Sequence, residues 1–198
     1  MTRQQKTLLI TALVFAAPLL LAILLFVKPD LVQLGTKNNG TLITPARPLD
    51  ALKVIVAGQP QDKSLLEGKW TWASFIEGPC DTSCAEQLYK SRQVRLALGK
   101  DMDKGQRLLV QLGTPTELDP RLLEAHPDLI IARTEEDAAW LTQFHLDENR
   151  VDTANLYLVD PLGNLMMYYP PGIEGPKILK DIQRLVKVSW IKPKQQNE

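Results

Sequence analysis

Residues 8–27 read LLITALVFAAPLLLAILLFV, twenty positions without a charged side chain. At 1.5 Å of rise per residue such a run covers roughly 30 Å, the hydrocarbon thickness of a bilayer. A cleaved signal peptide has a shorter apolar region and a small-residue cleavage site, whereas this run ends in Leu25-Phe26-Val27-Lys28-Pro29. Pro18 is tolerated in a membrane helix. Arg3 and Lys6 precede the run with no acid beside them, which favours a cytoplasmic N-terminus. The pattern therefore predicts a cytoplasmic segment over 1–7, one transmembrane anchor over 8–27, and everything after it on the outer side.

Beyond the anchor the pattern changes. Residues 28–50 hold Pro29, Gly35, Gly40, Pro45 and Pro48 without any sustained period, and are expected to form a tether. Residues 51–198 alternate short apolar runs with helical stretches. Strands are predicted over 53–57, 70–76, 107–112, 128–132, 156–159 and 165–169, with 160–164 as the turn of a hairpin. Helices are predicted over 81–98, 117–124, a stretch opened by Thr134, and 177–188. In the third of these Ala138, Leu141 and Phe144 recur at three-residue spacing. This alternation implies an α/β domain with a mixed sheet flanked by helices.

Composition removes several classes of function. The chain has 198 residues with 23 basic and 23 acidic side chains, so no cationic surplus suggests nucleic-acid binding. Length allows one ordinary domain plus an appendage. No Gly-rich phosphate loop, H-E-x-x-H or G-x-S-x-G is present, which argues against nucleotide, zinc-protease and hydrolase chemistry. Two cysteines are too few for a four-thiolate zinc site, but enough for one redox pair or one two-thiolate metal site.

Those cysteines, Cys80 and Cys84, follow a predicted strand and open a predicted helix. A helix N-terminus favours thiolate over thiol, and thiolate is the form that attacks disulfides and binds soft metals. Cysteines four apart on a helix share a face, so both sulfurs can reach one ion or each other. Three readings follow: a static disulfide, a thiol–disulfide exchange site, or a Cu(I) site.

The stretch Leu66-Glu67-Gly68-Lys69-Trp70, then Phe75, then Gly78-Pro79-Cys80-Asp81-Thr82-Ser83-Cys84, together with Tyr157-Leu158-Val159-Asp160-Pro161-Leu162-Gly163, resembles the Sco/SenC family. That resemblance implies a membrane-anchored, thioredoxin-like domain that assists cytochrome c oxidase assembly. Its partner would be an oxidase subunit or another assembly factor, in the inner membrane of a bacterium with the domain in the periplasm. It also implies that Cys80 and Cys84 are the redox-active and copper-binding thiols. The family carries a His a few residues before the second of these stretches, where this chain has Asp152 or Thr153. No Pro stands between Arg150 and Asp160, where ordinary thioredoxins have one. A scaffold with a structural disulfide is the alternative function.

The other soft donors are few. His126 precedes Pro127 and is expected in an exposed loop, whereas His145 is expected at the end of a helix, where the macrodipole favours it; the alternative is that it swings toward the cysteines through the following loop. Met166 and Met167 are adjacent on a strand and must point to opposite faces. Trp70 and Trp72 share a face and read as core. Lys187, Lys192 and Lys194 read as solvated charge.

Overall fold

The uncharged run forms one helix, α1 (Arg3–Val27), in a computed structural model that describes residues 3–27, 38–146 and 149–189. The chain divides into two compact units, Met1–Lys37 and Asn38–Glu198. Helix α1 is long and apolar enough to cross a membrane, and the large apolar side chains described on it are exposed. It is thus a candidate membrane span. The part of the expected tether over 28–37 lies outside the described residues.

In the second unit the described residues form one eight-stranded mixed sheet. In chain order its strands are β1 (Thr41–Pro48), β2 (Val54–Val56), β3 (Gln59–Gln61), β4 (Trp70–Glu77), β5 (Gly105–Leu112), β6 (Leu129–Thr134), β7 (Leu156–Val159) and β8 (Asn164–Tyr169). Across the sheet they run β1-β8-β7-β4-β5-β6-β2-β3. Strand β4 pairs in parallel with β5 and antiparallel with β7. Its sequence, WTWASFIE, is buried on both faces up to Ile76, which is why large apolar residues stand on both of its faces rather than alternating with polar ones, Thr71 and Ser74 being the buried exceptions.

Three helices complete the unit, α2 (Thr82–Ala97), α3 (Pro120–Ala125) and α4 (Gly175–Val188). On one face of the sheet Phe75, Val110, Tyr157 and Val159 pack with Trp140, Leu141 and Phe144. On the other, Trp70, Trp72, Leu158 and Met167 pack with Val94 of α2 and with Ile178, Ile182 and Val186 of α4. Trp70 and Trp72 are core, as their shared face implies. Met167 is fully buried while Met166 is only partly so.

The structure departs from the sequence pattern in three places. Residues 41–48, read as part of the tether, are β1, paired antiparallel with β8. Pro45 and Pro48 can occupy it because it is an edge strand, where a missing N–H leaves no rung unfilled. Residues 59–61, where no strand is predicted, form β3 at the opposite edge, and the same holds there for Pro60. The helix expected after Thr134 is instead a 3-10 segment, Ala139–Phe144. The three-residue spacing of Ala138, Leu141 and Phe144 is the period of that tighter turn. It brings the Phe144 ring to 4.8 Å from Phe75 and 5.1 Å from Tyr157.

Candidate functional site

Strand β4 ends at Glu77, and Gly78 then takes a positive φ of 76°, which turns the chain back over the sheet. Cys80 follows in that turn. Asp81 is the N-cap of α2, its carboxylate accepting the Cys84 N–H at 2.9 Å. Only Cys84 is therefore inside the helix, and Cys80 precedes the cap. The two are joined as a disulfide with a Cα–Cα distance of 5.3 Å. The expected common helix face is thus replaced by a turn that folds Cys80 toward the first turn of α2.

The two sulfurs differ in access. Cys84 is 9% exposed and packs with Ile76, Leu88, Leu109 and Leu118, whereas Cys80 lies at the rim, half-buried. Helix α2 favours a thiolate at its N-terminus. The Asp81 carboxylate, one residue from Cys80 and hydrogen-bonded to Cys84 N, works against a second negative charge there.

Facing the pair is the loop before β7. Thr153 and Ala154 line one pocket with Cys84, Ser83, Asp81, Pro79 and Glu77. Gln87, one turn beyond Cys84, donates its side-chain amide to the carbonyls of Thr153 and Ala154 and so ties the loop to α2. The Tyr157 hydroxyl donates to the Asp152 carbonyl at 3.0 Å, and burial pushes that hydroxyl up to about 12. Asp152 itself caps its own loop, accepting from Ala154 N at 3.0 Å and from Asn155 Nδ2 at 3.0 Å. Of the two residues expected where the family has its His, Thr153 borders the cysteine pocket, whereas the Asp152 carboxylate is engaged within the loop.

Neither histidine joins the cysteines. His145 lines a separate groove with Glu135, Glu136, Thr142 and Arg150, on the other side of Glu77. His126, expected to be exposed, is 7% exposed and lies beneath α2. Its Nδ1 is 3.3 Å from Nη2 of Arg107, which is 1% exposed on the central strand β5. Arg107 also donates to the Leu88 carbonyl at 2.7 Å and to Ser91 Oγ at 3.1 Å, both on α2, and pairs with Asp128 at 3.0 Å. Burial, then the Arg107 and Arg92 charges, holds His126 below its ordinary value of 6.5. Burial likewise lowers Arg107, against the Asp128 charge.

Asp81, Gln87 and Arg107 were not singled out from sequence as functional residues. Arg107 left one signal, a cation opening an otherwise apolar strand (RLLVQL). Among the described residues no group of three His, Cys, Asp or Glu side chains could hold a metal ion. Around the sulfurs the donors are oxygens of Glu77, Asp81, Ser83 and Thr153, hard ligands that suit Cu(I) poorly.

Comparison with known proteins finds the same fold. The apo Sco1 protein from Thermus thermophilus superposes with a TM-score of 0.59 at 22% identity, covering 76% of this chain and 99% of that one. Yeast Sco1 with copper bound gives 0.57 at 17% identity, covering 78% and 96%. BsSco, described as a member of the Sco family of cytochrome c oxidase assembly proteins with a disulfide switch, gives 0.55 at 13% identity, covering 75% and 99%. No curated protein matches the chain. The family model for the transmembrane-like, thioredoxin-like, C-terminal domain matches residues 70–189, which takes in β4, the cysteine turn, the facing loop and α4. The chain belongs to that family, and its folded unit has the thioredoxin-like fold seen in the solved Sco proteins.

Proposed function

We propose that this protein is a single-pass, membrane-anchored thioredoxin-like factor that assists cytochrome c oxidase assembly by thiol–disulfide exchange at Cys80 and Cys84. The observation that carries the reading is the unequal access of the two sulfurs: one at the rim, one buried in the first turn of α2. In the reduced protein the Cys80 thiolate attacks a disulfide of the partner, forming a mixed disulfide and expelling one partner thiolate. Cys84 then attacks the Cys80 sulfur and expels the second. The partner disulfide gains two electrons, the Cys80–Cys84 bond re-forms, and an external dithiol returns the pair to the reduced state. The disulfide switch described for BsSco, a protein of the same fold, supports this reading. Localisation follows the same proposal: N-terminus in the cytoplasm of a bacterium, domain in the periplasm, where a cysteine pair can cycle.

A second reading is transient carriage of Cu(I), favoured by the copper bound to yeast Sco1. The oxygen donors around this pair suit that ion poorly, so no step here passes through it. A competitive Cu(I) titration of the reduced protein tests it: tight binding of one equivalent, lost in Cys84→Ser, would establish carriage.

For the exchange reading the deciding measurement is the reduction potential of the pair. A value above about −300 mV marks a working redox couple, and a lower one a structural bond on a non-enzymatic scaffold of the oxidase. Loss of oxidase assembly in cells carrying Cys80→Ser with Cys84→Ser is the matching expectation. Intact assembly in that variant overturns the exchange reading.

A further inference from the structure

We propose that the outer side of α4 docks on the anionic headgroups of the bilayer that holds α1. The proposal rests on α1 spanning that bilayer.

Helix α4 places Lys177, Lys180, Arg184 and Lys187 along one stripe, at spacings of three, four and three, while Ile178, Ile182 and Val186 face the core. The three lysines are exposed and the Arg184 side chain is 42% exposed. Two acids accompany them. Glu174 pairs with Lys177 at 3.4 Å. Asp181 is buried, 3.9 Å from Arg184, and its oxygens accept N–H groups of Asn39 and Gly40. Four cations against two carboxylates, one of them buried, leave the stripe cationic on a chain with no net charge.

Where the chain joins the domain gives the stripe its partner. Asn39 donates its backbone N–H to Asp181 at 2.8 Å and its side-chain amide to Asp181 at 2.8 Å and to the Lys177 carbonyl at 3.2 Å. The first described residues of the folded unit therefore lie against α4, at Lys177 and Asp181. Ten residues, 28–37, separate the last residue of α1 from Asn38. Fully extended they span at most roughly 36 Å. A cationic stripe held that close to a headgroup surface binds intramolecularly, so a weak attraction suffices. The attraction falls off over about 8 Å at physiological salt, so it acts only when α4 lies against the surface.

The test uses the full chain in nanodiscs of phosphatidylcholine, alone or mixed with phosphatidylglycerol. Acylation rates of individual lysines are read by mass spectrometry. Lys177, Lys180 and Lys187 should label severalfold more slowly in the anionic discs, and high salt should restore the rate. Lys53, exposed beside β2 near the far edge of the sheet, should label equally in both. In Lys180→Glu with Lys187→Glu, the rate at Lys177 should no longer depend on lipid. Equal rates in the two discs for the native chain overturn the docking while leaving the anchor intact. A chain that does not stay with the discs overturns the anchor, and the docking with it.

Discussion

Arg107 Nη2 lies 2.7 Å from the carbonyl oxygen of Leu88, so a cation rooted in the central strand β5 holds α2 one turn below Cys84. The same guanidinium pairs with Asp128, whose side chain is 23% exposed. Replacing Arg107 with Met leaves that carboxylate with Arg95 alone, at 3.3 Å, and strips the Leu88 carbonyl and Ser91 Oγ of their donor. We expect a loss of about 3 kcal/mol, seen as a lower urea midpoint with an unchanged slope. A loss below about 1 kcal/mol would show that the network is dispensable.

His126 gives this network a pH dependence. Its folded-state value lies below 6.5, so between the two values the unfolded chain binds the extra proton. The contribution is complete above about pH 6.5 and is lost as pH falls toward the folded-state value. Stability should thus decline on acidification from pH 7. His126→Gln, which keeps an acceptor toward Arg107 but cannot charge, should flatten that part of the profile. An identical profile in the variant would assign the decline to other groups.

Asp81 both caps α2 and sets a negative charge beside the sulfurs. Asp81→Asn preserves the cap and removes the charge. The reduced Cys80 should then alkylate faster than in the native protein at the same pH, since no neighbouring carboxylate opposes the thiolate. In the native protein Cys80 should alkylate severalfold faster than Cys84, in keeping with their burial.

Reduction of the disulfide should cost little global stability. It closes a loop of only five residues, Cys80 to Cys84, and the chain-entropy estimate for so short a loop is about 2 kcal/mol at most. Urea unfolding with and without a reductant measures this. A much larger difference would identify the bond as structural.

The positions legible in the sequence are those whose local pattern and tertiary role coincide. Strand β4 carries large apolar residues on both faces because both are covered, and the cysteine turn is visible because a strand stops and a helix begins there. The site around the cysteines was less legible, because its contacts join distant parts of the chain. Gln87 and Ala154 are 67 positions apart, and nothing in a polar residue on a helix announces that its amide will hold a facing loop. His126 was read as exposed from its place before Pro127. Its burial follows from α3 and the next turn folding under α2, which no local pattern encodes. Strands β1 and β3 escaped notice because edge positions admit the prolines that elsewhere signal loops.

Asp181 also decides how the domain meets a mechanical load. Tension along the segment from Lys37 reaches Asn39 and Gly40 first, where two backbone N–H groups and one side-chain amide are held by a single buried carboxylate. Only when that grip fails does force reach the first rung between β1 and β8, Thr41 opposite Tyr168. Helix α4 therefore bears the strain, and the sheet edge is spared from unzipping. Asp181→Ala should lower equilibrium stability by about 3 kcal/mol, since it leaves buried donors unfilled. In single-molecule pulling from the N-terminus it should remove the first force barrier.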